Sequence, residues 1–170
     1  PPRAQGFTLI ELLVVIALIS ILASLAAPDF RRSIAQRKVS EVASDLMIST
    51  LQARSAAITN NQQAIVQPLV TTDWSRGWRI YVDVDKDKAY TAGTDTLIST
   101  VSAKAGTVTT NELSPITLTL IGFNSTGYLL ESTAGRVVFS TTAIPSNQYK
   151  NGIVFSRTGR VRICETNPSK

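Results

Sequence analysis

The chain has 170 residues, a formal net charge of +5 and an apolar content of 44%, which fits one domain with an appendage. It contains no histidine and one cysteine, Cys164, so a Cys/His zinc site, a Cys/His nucleophile pair and an intramolecular disulfide are excluded. No nucleophile elbow, phosphate-binding glycine loop or paired-acid motif occurs either, so we expect no enzyme, no catalytic residues and no cofactor.

The first feature along the chain is an apolar segment, residues 7–27, with Glu11 as its one charge. At about 1.5 Å per residue, a helix of this length spans the roughly 30 Å hydrocarbon core, so the segment is predicted to be a transmembrane helix. The alternative is a cleaved secretory signal with residues 23–27 as its cleavage region. Leu25 stands where such a signal needs a small residue, and Pro28 would follow the cut.

Glu11 is the unusual residue of this segment. A charged side chain at the centre of a spanning helix costs on the order of 2.5 to 3.5 kcal/mol, and less near an end. We therefore expect Glu11 either to lie close enough to the membrane surface to reach water or to pair with a cation.

The motif Gly-Phe-Thr-Leu-Ile-Glu at residues 6–11, followed by an apolar helix, resembles the prepilin motif of type IV pilins and type II secretion pseudopilins. The resemblance implies that a membrane-bound prepilin peptidase cuts after Gly6 and methylates the new N-terminal residue, Phe7. Residues 1–6 would then be a leader, and residues 7–28 a retained transmembrane and assembly helix.

The same resemblance implies other pilin subunits as partners, with Glu11 paired to the α-amine of a neighbouring subunit's N-terminal residue. Such an ion pair would neutralise a carboxylate that the isolated subunit holds at a cost. The prepilin would sit in the bacterial inner membrane with a periplasmic head, and reach the pilus and cell surface after assembly.

After Pro28, residues 29–60 are predicted to continue as an amphipathic helix, because apolar and small residues recur at spacings of three and four. We expect this stripe to pack on a sheet. Its members are Ala35, Val39, Val42, Leu46, Ser49, Ala53 and Ala56.

Beyond Asn60-Asn61 the pattern changes to alternation with many β-branched residues, which is typical of strands. Residues 61–170 are therefore predicted to form an antiparallel β-sheet head, and the fold class is α+β with the long helix first. The predicted strands are residues 64–70, 78–84, 97–101, 116–123, 136–140, 153–155 and 160–164.

Three alternating aspartates, Asp83, Asp85 and Asp87, fit the start of a calcium loop. In that alignment Lys88 replaces the glycine at the sixth place and Thr94 replaces the final glutamate. We therefore expect no metal and interpret the triplet as part of a solvated hairpin between residues 82 and 90.

Three segments resemble the FimT/GspH branch of minor pilins and pseudopilins, and Trp74 and Trp78 within them are expected to be core or strand aromatics and not ligand contacts. The segments are residues 51–57 (Leu-Gln-Ala-Arg-Ser-Ala-Ala), 73–78 (Asp-Trp-Ser-Arg-Gly-Trp) and 123–127 (Phe-Asn-Ser-Thr-Gly).

Within this branch, the motif Gly159-Arg160-Val161-Arg162 resembles the GRxR motif of FimT proteins that bind DNA during natural transformation. It favours a minor type IV pilin that binds the DNA phosphate backbone without sequence specificity. The alternatives are a GspH-like minor pseudopilin of type II secretion and, third, a membrane-anchored enzyme. Cys164 has no partner for the terminal disulfide of many relatives.

The sequence also predicts how these arginines are arranged. Residues 153–156 and 160–164 are expected to be two strands joined through a turn at Gly159. Alternation would place Arg160 and Arg162 on one face, with Arg157 close to them at the turn. Solvated arginines that protect an edge strand from aggregation are the alternative interpretation.

Overall fold

The computed structural model describes residues 7–103, 108–115, 118–130, 134–143 and 149–166. The chain divides into two compact units, residues 1–34 and residues 35–170. The first helix, α1 (Leu9–Asn60), contributes to both units.

The N-terminal part of α1 is strongly apolar. Among the described residues, however, no single helix is both long and apolar enough to qualify as a membrane span. The pieces Leu9–Ser24 and Asp29–Asn60, on either side of residues 25–28, qualify only when they are taken together. The transmembrane helix therefore stays a prediction.

In the unit of residues 35–170, the predicted apolar stripe of α1 is buried from Ala35 to Ala53. At its C-terminal end the stripe differs from the prediction: Ala57 is buried, whereas the predicted member Ala56 is only partly buried. The helix ends in a Schellman motif, in which Gln62 N donates to Ala57 O at 3.1 Å. Asn61 takes the left-handed conformation that this motif requires, with φ of 53°.

In the part of the chain that the structure describes, eight strands follow α1 and form two four-stranded antiparallel sheets, in the orders β3-β2-β1-β5 and β4-β6-β7-β8. The predicted α+β class, a long helix followed by antiparallel strands, is confirmed. The strands are β1 (Gln63–Val70), β2 (Asp73–Asp83), β3 (Thr96–Ser102), β4 (Val108–Ser114), β5 (Ile121–Phe123), β6 (Gly135–Thr141), β7 (Lys150–Phe155) and β8 (Val161–Thr166).

Two strand predictions were wrong. The sequence does not predict β4, whose residues Val-Thr-Thr-Asn-Glu-Leu-Ser are mostly polar, because its strand conformation depends on pairing with β6. The predicted strand 116–123 is reduced to β5 at its C-terminal end, since residues 118–120 are not in a strand and residues 116–117 lie outside the described residues.

The acidic segment after β2 also differs from its prediction. β2 ends at Asp83 and the next strand begins only at Thr96, so residues 84–95 form a long connection and not a hairpin between residues 82 and 90. Asp83 is buried, whereas Asp85 and Asp87 are exposed. The triplet is therefore only partly solvated.

Both sheets pack against the buried stripe of α1 and share one hydrophobic core with it. Trp74 and Trp78 lie in this core, as predicted. Trp78 Nε1 donates to Ser49 Oγ on α1 at 2.8 Å, which links the first sheet to the helix. The second sheet is linked through Ser40, whose Oγ lies 2.7 Å from the hydroxyl of Tyr149.

The Trp78–Ser49 hydrogen bond generates a stability prediction. Ser49→Ala leaves the buried indole N–H without its acceptor, so the free energy of unfolding should fall by about 1 to 3 kcal/mol. Urea unfolding of a soluble fragment of residues 29–170 measures this change.

The matched control is Ser55→Ala, a substitution of an exposed serine on the same helix. It should change stability by less than about 0.5 kcal/mol. Equal losses for the two variants would contradict the assigned role of the buried bond.

Candidate functional site

The C-terminal arginines lie at a tight turn between β7 and β8. The two strands pair antiparallel, with Phe155 opposite Val161. Ser156 N donates to Arg160 O at 2.9 Å and Gly159 N donates to Ser156 O at 2.8 Å, which closes the turn. Arg160 therefore belongs to the turn, one residue before β8 begins, and not to the strand as predicted.

Gly159 is needed here for two reasons. Its φ of +75° is one that L side chains rarely adopt, and a Cβ at this position would collide with the carbonyl oxygen of Gly127. The turn of residues 156–160 is thus packed directly against the turn of residues 124–127. Asn124 Oδ1 stabilises that second turn by accepting from Thr126 N and Tyr128 N, each at 3.0 Å.

Arg54 of α1 forms hydrogen bonds with both turns. Its Nε donates to Gly127 O at 3.0 Å and its Nη2 donates to Thr158 O at 3.4 Å. The sequence alone does not point to this role, because other charged residues also stand beside buried positions of the stripe and are exposed, as Lys38 is beside Val39.

Arg160 and Arg162 come together, as alternation predicts: both line one depression of about 230 Å³ on the outer face of the second sheet. Val161 points into the core, whereas Ile163 is 42% exposed and does not share its burial. Arg157 is exposed at the turn but is not among the residues that line the depression.

A third arginine, Arg136 on β6, was missed. Val154 is the cross-strand neighbour of both Arg136 and Arg162, so the two arginines lie on one face about two strand spacings, or roughly 10 Å, apart. We call Arg136, Arg160 and Arg162 the arginine surface. Only the strand register brings Arg136 there, and the sequence does not reveal that register.

The charges on this surface are not equally compensated. Arg136 Nη2 lies 3.0 Å from Glu112 Oε2, and Lys150 Nζ lies 2.9 Å from Glu112 Oε1. The hydrogen bond from Lys150 holds the pKa of Glu112 below its usual value. Within the described ranges neither Arg160 nor Arg162 forms an ion pair, so these two carry the uncompensated positive charge.

The acidic residues after β2 form a separate cluster. One carboxylate oxygen from each of Asp83, Asp85 and Asp87 lies within 4.8 Å of the others. The Asp83 carboxylate accepts from Lys86 N at 2.8 Å and Lys88 N at 3.1 Å. Burial, and after it the charge of Asp83, raises the pKa of the Tyr81 hydroxyl.

In the N-terminal unit, Glu11 takes part in a capping box at the start of α1. Its Oε2 accepts from Thr8 N and from Thr8 Oγ1, both at 2.9 Å, and Glu11 N donates to Thr8 Oγ1 at 3.3 Å. Cleavage after Gly6 would leave both donors in place. Phe7 is exposed, and Gly6 lies outside the described residues.

A long N-terminal helix whose second half packs against antiparallel sheets defines a pilin-like subunit, and the solved structures agree. The minor pilin FimU of Pseudomonas aeruginosa superposes with a TM-score of 0.63 at 19% identity, covering 79% of this chain and 92% of FimU. At that identity the likeness shows the fold alone.

Sequence comparison identifies the family. Residues 42–166 match the model of the type II transport protein GspH family, and residues 1–27 match the prokaryotic N-terminal methylation motif. The chain belongs to the GspH family and is a minor pilin-like prepilin of the GspH/FimT kind.

The curated relatives that match resemble only one part of the chain. The major pilin PilA of Myxococcus xanthus is 51% identical over 45 residues, or 26% of this chain and 20% of PilA. The fimbrial protein FimA of Dichelobacter nodosus is 47% identical over 55 residues, or 32% of this chain and 33% of FimA. The chain thus spans a third or less of these relatives.

Because Glu11 belongs to the capping box, substitutions must separate its hydrogen bonds to Thr8 from its charge. Glu11→Gln keeps an acceptor for Thr8 but removes the charge, whereas Glu11→Ala removes both. If the charge pairs with a neighbouring subunit's α-amine, the amount of both variants in sheared filaments should fall tenfold or more, as measured by immunoblot. Both variants should remain in the membrane fraction.

Thr8→Val is the complementary variant, because it removes the side-chain donor and leaves the charge. Wild-type incorporation of Glu11→Gln, together with loss of Glu11→Ala, would show that helix capping and not charge pairing is what assembly requires.

Proposed function

We propose that this chain is a minor type IV pilin that incorporates into a pilus and binds DNA for uptake in natural transformation. Arg160 and Arg162 would contact the phosphate backbone, Gly159 would shape their turn, and Arg157 would extend the contact at its tip. The observation that carries the proposal is the placement of Arg160 and Arg162 in one depression without an ion-pair partner among the described residues.

The chemistry of this surface fits a phosphate backbone. Guanidinium groups donate two hydrogen bonds at once to phosphate oxygens, which makes arginine suited to this contact. Contacts to phosphates position a protein on DNA without reading its sequence. We therefore expect binding that does not depend on sequence.

The turn that presents the arginines is well supported. Arg54 donates to the carbonyl groups of both Gly127 and Thr158, and Gly159 packs against Gly127. The backbone that carries Arg160 therefore loses little conformational freedom on binding. Arg136 would contribute less, because Glu112 already compensates part of its charge.

The N-terminal region completes the proposal. A prepilin peptidase would remove residues 1–6 at Gly6 and methylate Phe7, and residues 7–28 would anchor the subunit in the inner membrane with the rest of the chain in the periplasm. Other pilin subunits would be its partners through Glu11. The match to the N-terminal methylation motif supports these assignments. We expect a structural and DNA-binding role and no catalytic one.

The second candidate is a minor pseudopilin of type II secretion with a protein-binding role, and the family match to the type II transport protein GspH favours it. The two candidates share fold and processing. They differ in whether the arginine surface binds DNA, so a binding assay separates them.

The test measures DNA binding by a soluble fragment of residues 29–170, with the fluorescence anisotropy of a labelled duplex as the signal. Wild type should bind with a dissociation constant of roughly 10⁻⁴ to 10⁻⁶ M near physiological salt. Arg160→Gln with Arg162→Gln should reduce the slope of log affinity against log salt by about 1.8, because two phosphate contacts to the duplex are lost.

The matched control is Arg37→Gln with Lys38→Gln, which removes the same charge from an exposed part of α1. It should leave the slope unchanged, and only the first double variant should lower transformation. Equal weakening by both double variants would mean attraction by net charge alone. A wild-type fragment that does not bind at low salt would favour the pseudopilin.

A further inference from the structure

Three carboxylates lie close together at the end of β2 and in the connection to β3. Asp83, Asp85 and Asp87 direct carboxylate oxygens to within 4.8 Å of one another. Oxygens on opposite sides of one calcium ion lie up to about 5 Å apart, because each is about 2.3 to 2.6 Å from the ion. The three carboxylates can therefore reach one calcium ion. Mg²⁺ demands near-ideal octahedral geometry and usually keeps several waters, so a cluster of protein oxygens suits calcium better.

An acidic cluster alone does not define a site, and here two buried polar groups beside it point to a ligand. The Tyr81 side chain is fully buried, and its hydroxyl has no hydrogen-bond partner among the described residues. Tyr81 is two residues before Asp83 on the same face of β2, opposite the core face of Trp78 and Ile80. Its ring also contacts Tyr90 of the acidic connection, with 5.4 Å between centroids.

Gln63 is the second group. It pairs directly with Asp83 across β1 and β2, so the two side chains lie on the same face. Its Oε1 is buried and accepts no hydrogen bond from any residue that the structure describes. An unpaired buried amide oxygen costs free energy unless a donor or a cation satisfies it, and side-chain amide oxygens are common calcium ligands.

The hydrogen bonds within the connection leave room for an ion. A carboxylate offers about four lone-pair sites, and the Asp83 carboxylate uses one on each oxygen for Lys86 N and Lys88 N. Arg79, which shares this face, has its guanidinium carbon 5.0 Å from the centre of the Tyr90 ring.

We propose that Asp83, Asp85, Asp87 and Gln63 bind one calcium ion, and that the Tyr81 hydroxyl accepts a hydrogen bond from a water of that ion. The sequence predicts no ion here because the glycine and the final glutamate of a calcium loop are missing. Gln63, from the neighbouring strand, supplies an oxygen that the loop pattern does not contain. Calcium would hold residues 84–95 on the outer face of the first sheet.

The test uses the full chain in detergent micelles, freed of metal with EDTA and dialysed. Titration with calcium chloride should show one site with a dissociation constant of about 10⁻⁴ to 10⁻³ M, the range of extracellular calcium modules. At 10 mM calcium the melting temperature should rise by roughly 3 to 8 °C. Magnesium at the same concentration should give less than half that rise.

Asp85→Asn with Asp87→Asn should abolish the calcium response, since it removes two exposed charges at unchanged size. Asp29→Asn with Glu165→Gln, the control of equal charge change, should retain it. Gln63→Glu adds a negative ligand and should tighten calcium binding about tenfold, which keeps the test decisive if the aspartate variant folds poorly. An absent calcium response, equal calcium and magnesium effects, or unchanged affinity in Gln63→Glu would overturn the site.

Discussion

The buried stripe of α1 between residues 35 and 57 is the contact on which the rest of the head unit depends. Two four-stranded sheets pack against it and share one core, so neither sheet buries its apolar face without the helix. Polar contacts fix the alignment, since Ser49 accepts from Trp78 of the first sheet and Ser40 contacts Tyr149 beside the second. A shift of the helix by one residue would break both contacts.

That constraint also positions the turn at the edge of the arginine surface. Arg54 lies on α1 one residue after the buried Ala53, and its guanidinium reaches the carbonyl oxygens of Gly127 and Thr158. The turn that carries Arg160 is therefore tied to the helix through hydrogen bonds and to the turn of residues 124–127 through the close approach of Gly159. The helix organises the core and, through Arg54, the placement of the turn that carries Arg160.

The sequence predicted what local periodicity and motifs can report. The stripe from Ala35 to Ala53, the core position of the two tryptophans and the α+β class followed from spacing, and the prepilin motif indicated the family. The division of the strands into two sheets did not follow, because pairing partners are set by contacts distant in sequence. β4 was missed because its polar residues form a strand only beside β6.

In the candidate sites too, the sequence predicted local arrangements and missed those that depend on strand pairing. Alternation along one strand predicted that Arg160 and Arg162 lie together, whereas Arg136 reaches them only through the register of β6, β7 and β8. The acidic triplet was visible in the sequence, but Gln63 stands opposite Asp83 through the β1–β2 pairing alone. Groups on neighbouring strands are therefore the ones that sequence reasoning overlooks.

Native-state hydrogen exchange tests the dependence of both sheets on the helix most directly. We expect the amides of Leu46 in α1, Ile80 in β2 and Ile153 in β7 to exchange through one common opening, with free energies that agree within about 1 kcal/mol. If the β7 amide opened at a free energy several kcal/mol below that of the helix, the second sheet would be an independent unit. That result would contradict a single core organised by α1.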